Sequence, residues 1–274
     1  MDVKVCNLRS NDFEENLIYS VRNTGFAIIT HHGIDHSFIK ETQMAWKIFF
    51  LNNNSYKELY INSVDPNMGY KGFKSEKALG AEKADLKEFF HWKPGQKIPY
   101  EVSTLTQHMF YQLEDVSMKI LGVLDRHYDI PNPGFQNSCL DSDNTLLRAL
   151  YYPALNFDNE SGAVRAAAHE DINFITLLVA ASAPGLQVKD KNGRWHDVPH
   201  EDNSITVNIG DMLQLASGGM YKSTTHRVIN PDNYNSDRVS IPLFVHPHSN
   251  TLLADGITAK KFLEQRLDKI YQKV

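Results

Sequence analysis

Cysteine is scarce in this chain. Only Cys6 and Cys139 occur in 274 residues. A disulfide framework or cysteine-rich metal knuckle is therefore not expected, and neither thiol is assigned any chemistry. No apolar run approaches the ~20 residues that cross a bilayer. The opening MDVKVCNLRSNDFEEN lacks the apolar stretch of a secretory leader. A basic excess is missing as well: Lys and Arg number 28 against 33 Asp and Glu, a net charge of −5 with the signs well mixed. A nucleic-acid face or a polybasic membrane contact is thus excluded as an expectation. There is no internal repeat and no low-complexity segment. The cytoplasm is the simplest location, and the sequence does not identify a protein partner.

What is present suits a full globular core, with 42% hydrophobic and 22% charged residues. The spacing predicts a short strand, a helix opened by Asp12 and stopped at Gly25, and a buried strand over FAIIT, Phe26 to Thr30. His31, His32 and His36 read as solvated turn residues. A helix is expected from about His36 to Leu51. Residues 61–101 show little periodicity and many turn formers, the pattern of a lid or connector. Within them Tyr70, Phe73 and Phe90 are candidates for a pocket mouth. Leu105, Met109, Leu113, Val116, Ile120 and Leu124 make one stripe on a long helix, ended by the run from Asp129 to Gly134.

From Thr145 onward the pattern turns to short strands: LLRALYYP, ITLLVAA, GLQVKD, RWHDV, SITVNIG, MLQLAS, HRVI and RVSIPLFV. Lys191-Asn192-Gly193 reads as a hairpin turn. About eight strands at such spacing suggest a jelly roll or related barrel, with a charged amphipathic helix from Thr258 to Lys273 folding back over it. The expected organisation is one compact unit: a helical region with short strands over 1–140, a mainly β barrel over 141–250, and a C-terminal helix over 251–274.

The chemistry is carried by spacing. Side chains at i and i+2 of a strand leave the same face, so His169 and Asp171 converge if their segment is extended. His226, on a later strand, would complete two imidazoles and one carboxylate, the facial set that suits non-haem Fe(II) and leaves three positions open. Zinc, manganese or nickel would accept the same ligands. Arg238 and Ser240, again two apart, offer donors only. A guanidinium fork beside a hydroxyl is a carboxylate receptor, and an Arg inside the apolar run RVSIPLFV would face inward and need an anion. A 2-oxo acid chelating the metal, its remote carboxylate on Arg238 and Ser240, would leave one position for O2, which tips the choice to iron. Phe174, Leu213 and Leu215 are further pocket-wall candidates. His246-Pro-His248 alternates correctly but has no carboxylate on its face, so it reads as a strand end; His196 and His200 read as surface residues.

HED at 169–171, THRV with His226, RxS at 238–240 and NIGDMLQLASGGMYKS resemble the isopenicillin N synthase-like family of 2-oxoglutarate/Fe(II)-dependent dioxygenases. NTGFAIITHHGID, DLKEFFHW and YYP at 151–153 extend the likeness over most of the chain. The resemblance implies a double-stranded β-helix flanked by N-terminal and C-terminal helices, with Fe(II), 2-oxoglutarate and O2 as the reaction's partners. It implies hydroxylation or a related oxidation of a small-molecule metabolite, coupled to conversion of 2-oxoglutarate to succinate and CO2. By position it makes His169, Asp171 and His226 the metal ligands and Arg238, Ser240 and Tyr152 the cosubstrate receptor. Phe244, Tyr70 and Phe174 are expected against substrate. One departure stands out: many plant members carry Asn two residues before the receptor tyrosine, where this chain has Leu150. Two rivals share these residues. One is an oxidase that needs no 2-oxoglutarate, in which Arg238 and Ser240 grip the substrate's own carboxylate. The other is a non-catalytic barrel that binds a small acid.

Overall fold

The computed structural model describes residues 1–77, 82–128, 134–154, 164–230 and 236–271. Phe26–Thr30 (β2) pairs in parallel with Val5–Asn7 (β1), and helix Phe13–Thr24 (α1) makes the crossover between them. Gly25 ends α1 in the left-handed region, φ 72°. A Cβ there would stand 2.4 Å from the Lys222 carbonyl oxygen, so conformation and space both demand glycine. Asp12 makes no capping bond; its carboxylate takes the Ser10 hydroxyl instead. His32 is no solvated turn residue. It is buried, with Nε2 donating to the Asn203 carbonyl at 3.0 Å and Nδ1 accepting from the Ile34 N–H.

Helix His36–Phe50 (α2) is capped by Asp35, which accepts from the Phe38 N–H. The short helix Asn54–Glu58 (α3) follows. The stretch expected to be a lid contains two strands, Gly69–Lys71 (β3) and Glu88–Trp92 (β4), which pair with each other. Every residue of β4 is buried. Because both faces of the strand are covered, its sequence shows no alternation to announce it. Phe90 meets Trp46 at 5.2 Å and Phe49 at 5.8 Å. Tyr70 packs on Phe49 at 6.1 Å and donates to Glu88 Oε2 at 2.5 Å. Both rings belong to this core cluster, not to a pocket mouth.

Helix Tyr100–Arg126 (α4) buries the expected stripe from Met109 to Leu124, with Leu105 half-buried. The proline-rich stop expected at Asp129–Pro133 lies outside the described residues. A short helix, Phe135–Cys139 (α5), comes next. Among the described residues no helix is long and apolar enough to cross a membrane.

The barrel strands are Leu146–Tyr152 (β5), Ala166–His169 (β6), Ile175–Val179 (β7), Leu186–Lys189 (β8), Trp195–Asp197 (β9) and Ile205–Ile209 (β10). After helix Asp211–Ala216 (α6) come His226–Val228 (β11), Arg238–Ser240 (β12) and Pro242–Val245 (β13). A small ribbon, Leu252–Ala254 (β14) with Ile257–Thr258 (β15), leads into helix Ala259–Tyr271 (α7). Of MLQLAS, expected as a strand, Met212 to Ala216 lie in α6 and Ser217 caps it. Met, Leu, Gln and Ala all favour helix, and the adjacent Met212 and Leu213 are both buried, which a half-exposed strand would not allow.

Two sheets result. The larger runs β1-β2-β10-β7-β13-β5-β4-β3, with β12 also on β5; the smaller runs β6-β11-β8-β9. Phe89, Leu150 and Tyr152 of the larger sheet pack on Ala166 and Val228 of the smaller. Those residues mark the inner faces of a jelly-roll core, as expected. Four strands from before residue 140 thus continue the same sheet as the barrel's own.

Candidate metal centre and carboxylate receptor

His169 closes β6, and Asp171 lies just past its end. Strand parity alone therefore does not bring them together, contrary to the sequence argument. Side-chain bonds do. Asp171 Oδ2 accepts from Thr176 Oγ1 at 2.5 Å and from Asn208 Nδ2 at 2.8 Å. That anchoring leaves Oδ1 3.7 Å from His169 Nε2 and 3.8 Å from His226 Nε2. These separations are too long for hydrogen bonds and leave a gap where the three atoms meet.

The two histidines are cross-strand partners of β6 and β11, with ring centroids 4.4 Å apart. His169 Nδ1 donates to the Ala167 carbonyl at 2.8 Å, and His226 Nδ1 to the Thr224 carbonyl at 3.1 Å. A carbonyl on Nδ1 fixes the tautomer and aims the Nε2 lone pair at the common point. Asp171 and His226 are buried, while 37% of the His169 side chain is exposed. Among the described residues, this trio is the group of His, Cys, Asp or Glu whose ligand atoms could hold a metal, all lying within 4.8 Å.

Electrostatics favour the metal-binding forms of His169 and Asp171. Burial pulls His169 below the usual histidine range, helped by His226 and opposed by Asp171. Burial alone would raise Asp171, but the two imidazoles and the Thr176 and Asn208 bonds outweigh it and hold the carboxyl low. Two neutral imidazoles and one carboxylate are the form a divalent ion needs.

Arg238 and Ser240 both lie on β12. Arg238 lies opposite Tyr152, and Ser240 opposite Leu150. Both donor residues are 2% exposed. The Arg238 guanidinium sits 5.1 Å from the Tyr152 ring, and its Nε donates to the Ala183 carbonyl at 3.0 Å. Its Nη1 is buried without a hydrogen-bond partner among the described residues. A buried cation with an unspent donor fits an incoming carboxylate. A cavity of about 20 Å³, lined in part by Arg238, Leu178 and Thr206, borders it.

The substrate candidates divide. Phe244 is half-buried on β13 opposite Thr176, with the Arg148 guanidinium 5.2 Å from its ring. Phe174 is 1% exposed and packs on Phe135 at 5.9 Å. It is a core residue, as Tyr70 is, and neither is open to a ligand. Leu213 is buried as well.

Sequence reasoning missed the anchors Thr176 and Asn208, and an ion network on the inner wall. Lys87 donates to Asp85 Oδ2 at 2.7 Å and Glu76 Oε2 at 2.6 Å. Arg148 reaches both Glu76 oxygens at 3.3 Å and bonds His91 through Nε. The signal was DLKE, charges set between apolar residues in a segment that is buried throughout.

Residues 144–247 match the family model of the 2OG-Fe(II) oxygenase superfamily, and residues 5–109 match that of the non-haem dioxygenase in morphine synthesis N-terminal region. Over 239 residues the chain is 32% identical to flavonol synthase 1 of Crocosmia x crocosmiiflora, covering 83% of this chain and 70% of that one. It is 29% identical to a proline hydroxylase of Petromyces alliaceus, covering 87% and 82%. A solved oxygenase candidate from Shewanella oneidensis superposes with TM-score 0.85 at 35% identity, covering 98% of both chains. A full-length Neurospora crassa protein solved with alpha-KG, which is 2-oxoglutarate, superposes with TM-score 0.83 at 25% identity, covering 97% and 96%. The chain belongs to the 2OG-Fe(II) oxygenase superfamily, in its isopenicillin N synthase-like branch, and is an oxidoreductase that works with Fe(II) and 2-oxoglutarate.

Proposed function

We propose that His169, Asp171 and His226 hold the Fe(II), and that Arg238, Ser240 and Tyr152 receive the remote carboxylate of 2-oxoglutarate. The observation that carries this reading is the buried, unspent Nη1 of Arg238 on the same inner face as Tyr152. The bound iron and cosubstrate supply an oxidant able to take hydrogen from an unactivated C–H bond, with succinate and CO2 as by-products. The protein's own residues do the rest. Thr176 and Asn208 keep the Asp171 carboxylate aimed, the Ala167 and Thr224 carbonyls keep both imidazoles aimed, and Phe26, edge-on to His226 at 5.5 Å, keeps water from that side.

The substrate in this reading is a small organic metabolite that is hydroxylated or otherwise oxidised beside Phe244. Relatives named flavonol synthase, proline hydroxylase and scopoletin 8-hydroxylase support that class. The two free buried cysteines fit a reducing compartment, and the cytoplasm is the proposed location. A screen of small metabolites for succinate release, with Fe(II) and 2-oxoglutarate present, tests the proposal. Succinate formed in step with an oxidised product is expected. Oxidation without succinate would move the chain to the oxidase class, and failure to bind Fe(II) anaerobically would make it a binding barrel.

A further inference from the structure

Lys87 immediately precedes β4. Since Glu88 pairs with Tyr151, the next step of the register sets Lys87 across from Tyr152, and Tyr152 in turn faces Arg238. Lys87, Tyr152 and Arg238 thus form one row over three neighbouring segments, on the face that meets the smaller sheet. Adjacent segments of a sheet lie about 4.8 Å apart, so a cation stands at each end of a row about 10 Å long, with a phenol between.

Lys87 is also tied to the strand that carries His169. Asp85, which accepts from Lys87 through Oδ2, takes the Ala167 N–H on Oδ1 at 3.0 Å. The Leu86 N–H donates to the Val164 carbonyl at 3.0 Å. The first bond falls in β6 and the second two residues before it, both within a few residues of His169. Lys87 is 4% exposed. An ammonium has three protons, and Asp85 and Glu76 use two. Of its inner-face neighbours, Phe89 and Leu150 carry no hydrogen-bonding side chain, Arg148 is engaged with Glu76 and His91, and Tyr152 is the phenol of the row. Asp85 and Glu76 are balanced by Lys87 and Arg148, so the wall presents no surplus negative charge to an arriving anion.

We propose that Lys87 gives its third proton to the metal-bound end of the cosubstrate, so that Lys87 and Arg238 grip the two ends of one dicarboxylate. This rests on the iron and 2-oxoglutarate reading above.

The test is an anaerobic equilibrium titration of the Fe(II)-loaded full chain, following the metal-to-ligand charge-transfer absorbance. Two ligands are compared: 2-oxoglutarate, and 2-oxobutanoate, which lacks the remote carboxylate. Lys87→Met should weaken both about ten- to hundredfold, the loss expected for one charge-assisted bond. Arg238→Met should weaken 2-oxoglutarate and leave 2-oxobutanoate unchanged. Because Lys87→Met strands Asp85 in the interior, Lys87→Met with Asp85→Asn removes both charges and should show the same loss of affinity. Unchanged affinity for both ligands in a folded variant would overturn the proposal, leaving Lys87 as a lock on β6 only. If the wild-type chain binds Fe(II) but neither ligand, the cosubstrate reading itself fails and takes this proposal with it.

Discussion

His169 and His226 face each other directly across β6 and β11, rings 4.4 Å apart, although a long stretch of chain separates them. Pairing of two short strands thus sets the spacing of the imidazoles, and the turn after β6 adds the carboxylate. His169→Ala, or Asp171→Ala, should abolish Fe(II) binding while the chain still folds. Metal titration beside a thermal melt checks this. Wild-type Fe(II) affinity in either variant would exclude that residue as a ligand.

The anchoring of Asp171 makes a second, finer prediction. Thr176→Val keeps shape but removes the hydroxyl bonded to Asp171 Oδ2. Loss of such an outer partner typically costs ten- to hundredfold in metal affinity. A competition titration with a chelator of known affinity should find a loss of about that size. An unchanged constant would mean that Asn208 alone suffices to aim the carboxylate.

The ligands were legible because their types are rare in combination: HxD, a later His and RxS stand out even among twelve histidines. Their geometry was less legible. Strand alternation would align Asp171 with His169 only if β6 ran through both, whereas β6 stops at His169, and bonds from Thr176 and Asn208 do the aligning. Isolated apolar runs such as FAIIT translated directly into strands. Strand β4 did not, since burial on both faces erases the alternation that marks a strand. Tyr70 and Phe174 look like pocket aromatics on paper, yet an aromatic side chain says nothing about which way it points. In the fold both complete the main core.

Arg238→Lys should raise the Kd for 2-oxoglutarate about tenfold or more despite the retained charge. The planar fork now stacked on Tyr152, with Nε spent on Ala183, holds its remaining donors ready for a carboxylate. Lysine has neither the fork nor the reach to both partners. Binding measured by calorimetry decides it, and a lysine variant equal to wild type would remove Arg238 from the receptor.

Phe244→Ala should change substrate KM, or the ratio of succinate to product, with little change in Fe(II) affinity. Phe244 is half-exposed on the inner strand row of Arg238 and Ser240, opposite Thr176 in the ladder, with its ring against the Arg148 guanidinium. Comparing succinate release with product formation measures coupling directly. A variant that lost iron instead would show the ring to be a support of the metal centre.

Acid should unfold the metal-free protein early, and two histidines outside the metal trio explain why. Burial, together with the Arg148 guanidinium, pushes His91 down to about 3, and burial pushes His246 down to about 4, both from 6.5. Each binds a proton more weakly folded than unfolded. Between the ordinary histidine value and the folded one, the unfolded chain therefore takes up more protons, and stability falls as pH falls. The contribution is whole above about pH 6.5 and fades toward pH 4 for His246 and pH 3 for His91, together on the order of a few kcal/mol. Melting temperatures of the metal-free protein should thus drop steadily from pH 6.5 to 4.5. His91→Gln, which keeps a neutral acceptor for Arg148, should flatten that slope; an equally steep slope in the variant would show that the acid sensitivity lies elsewhere.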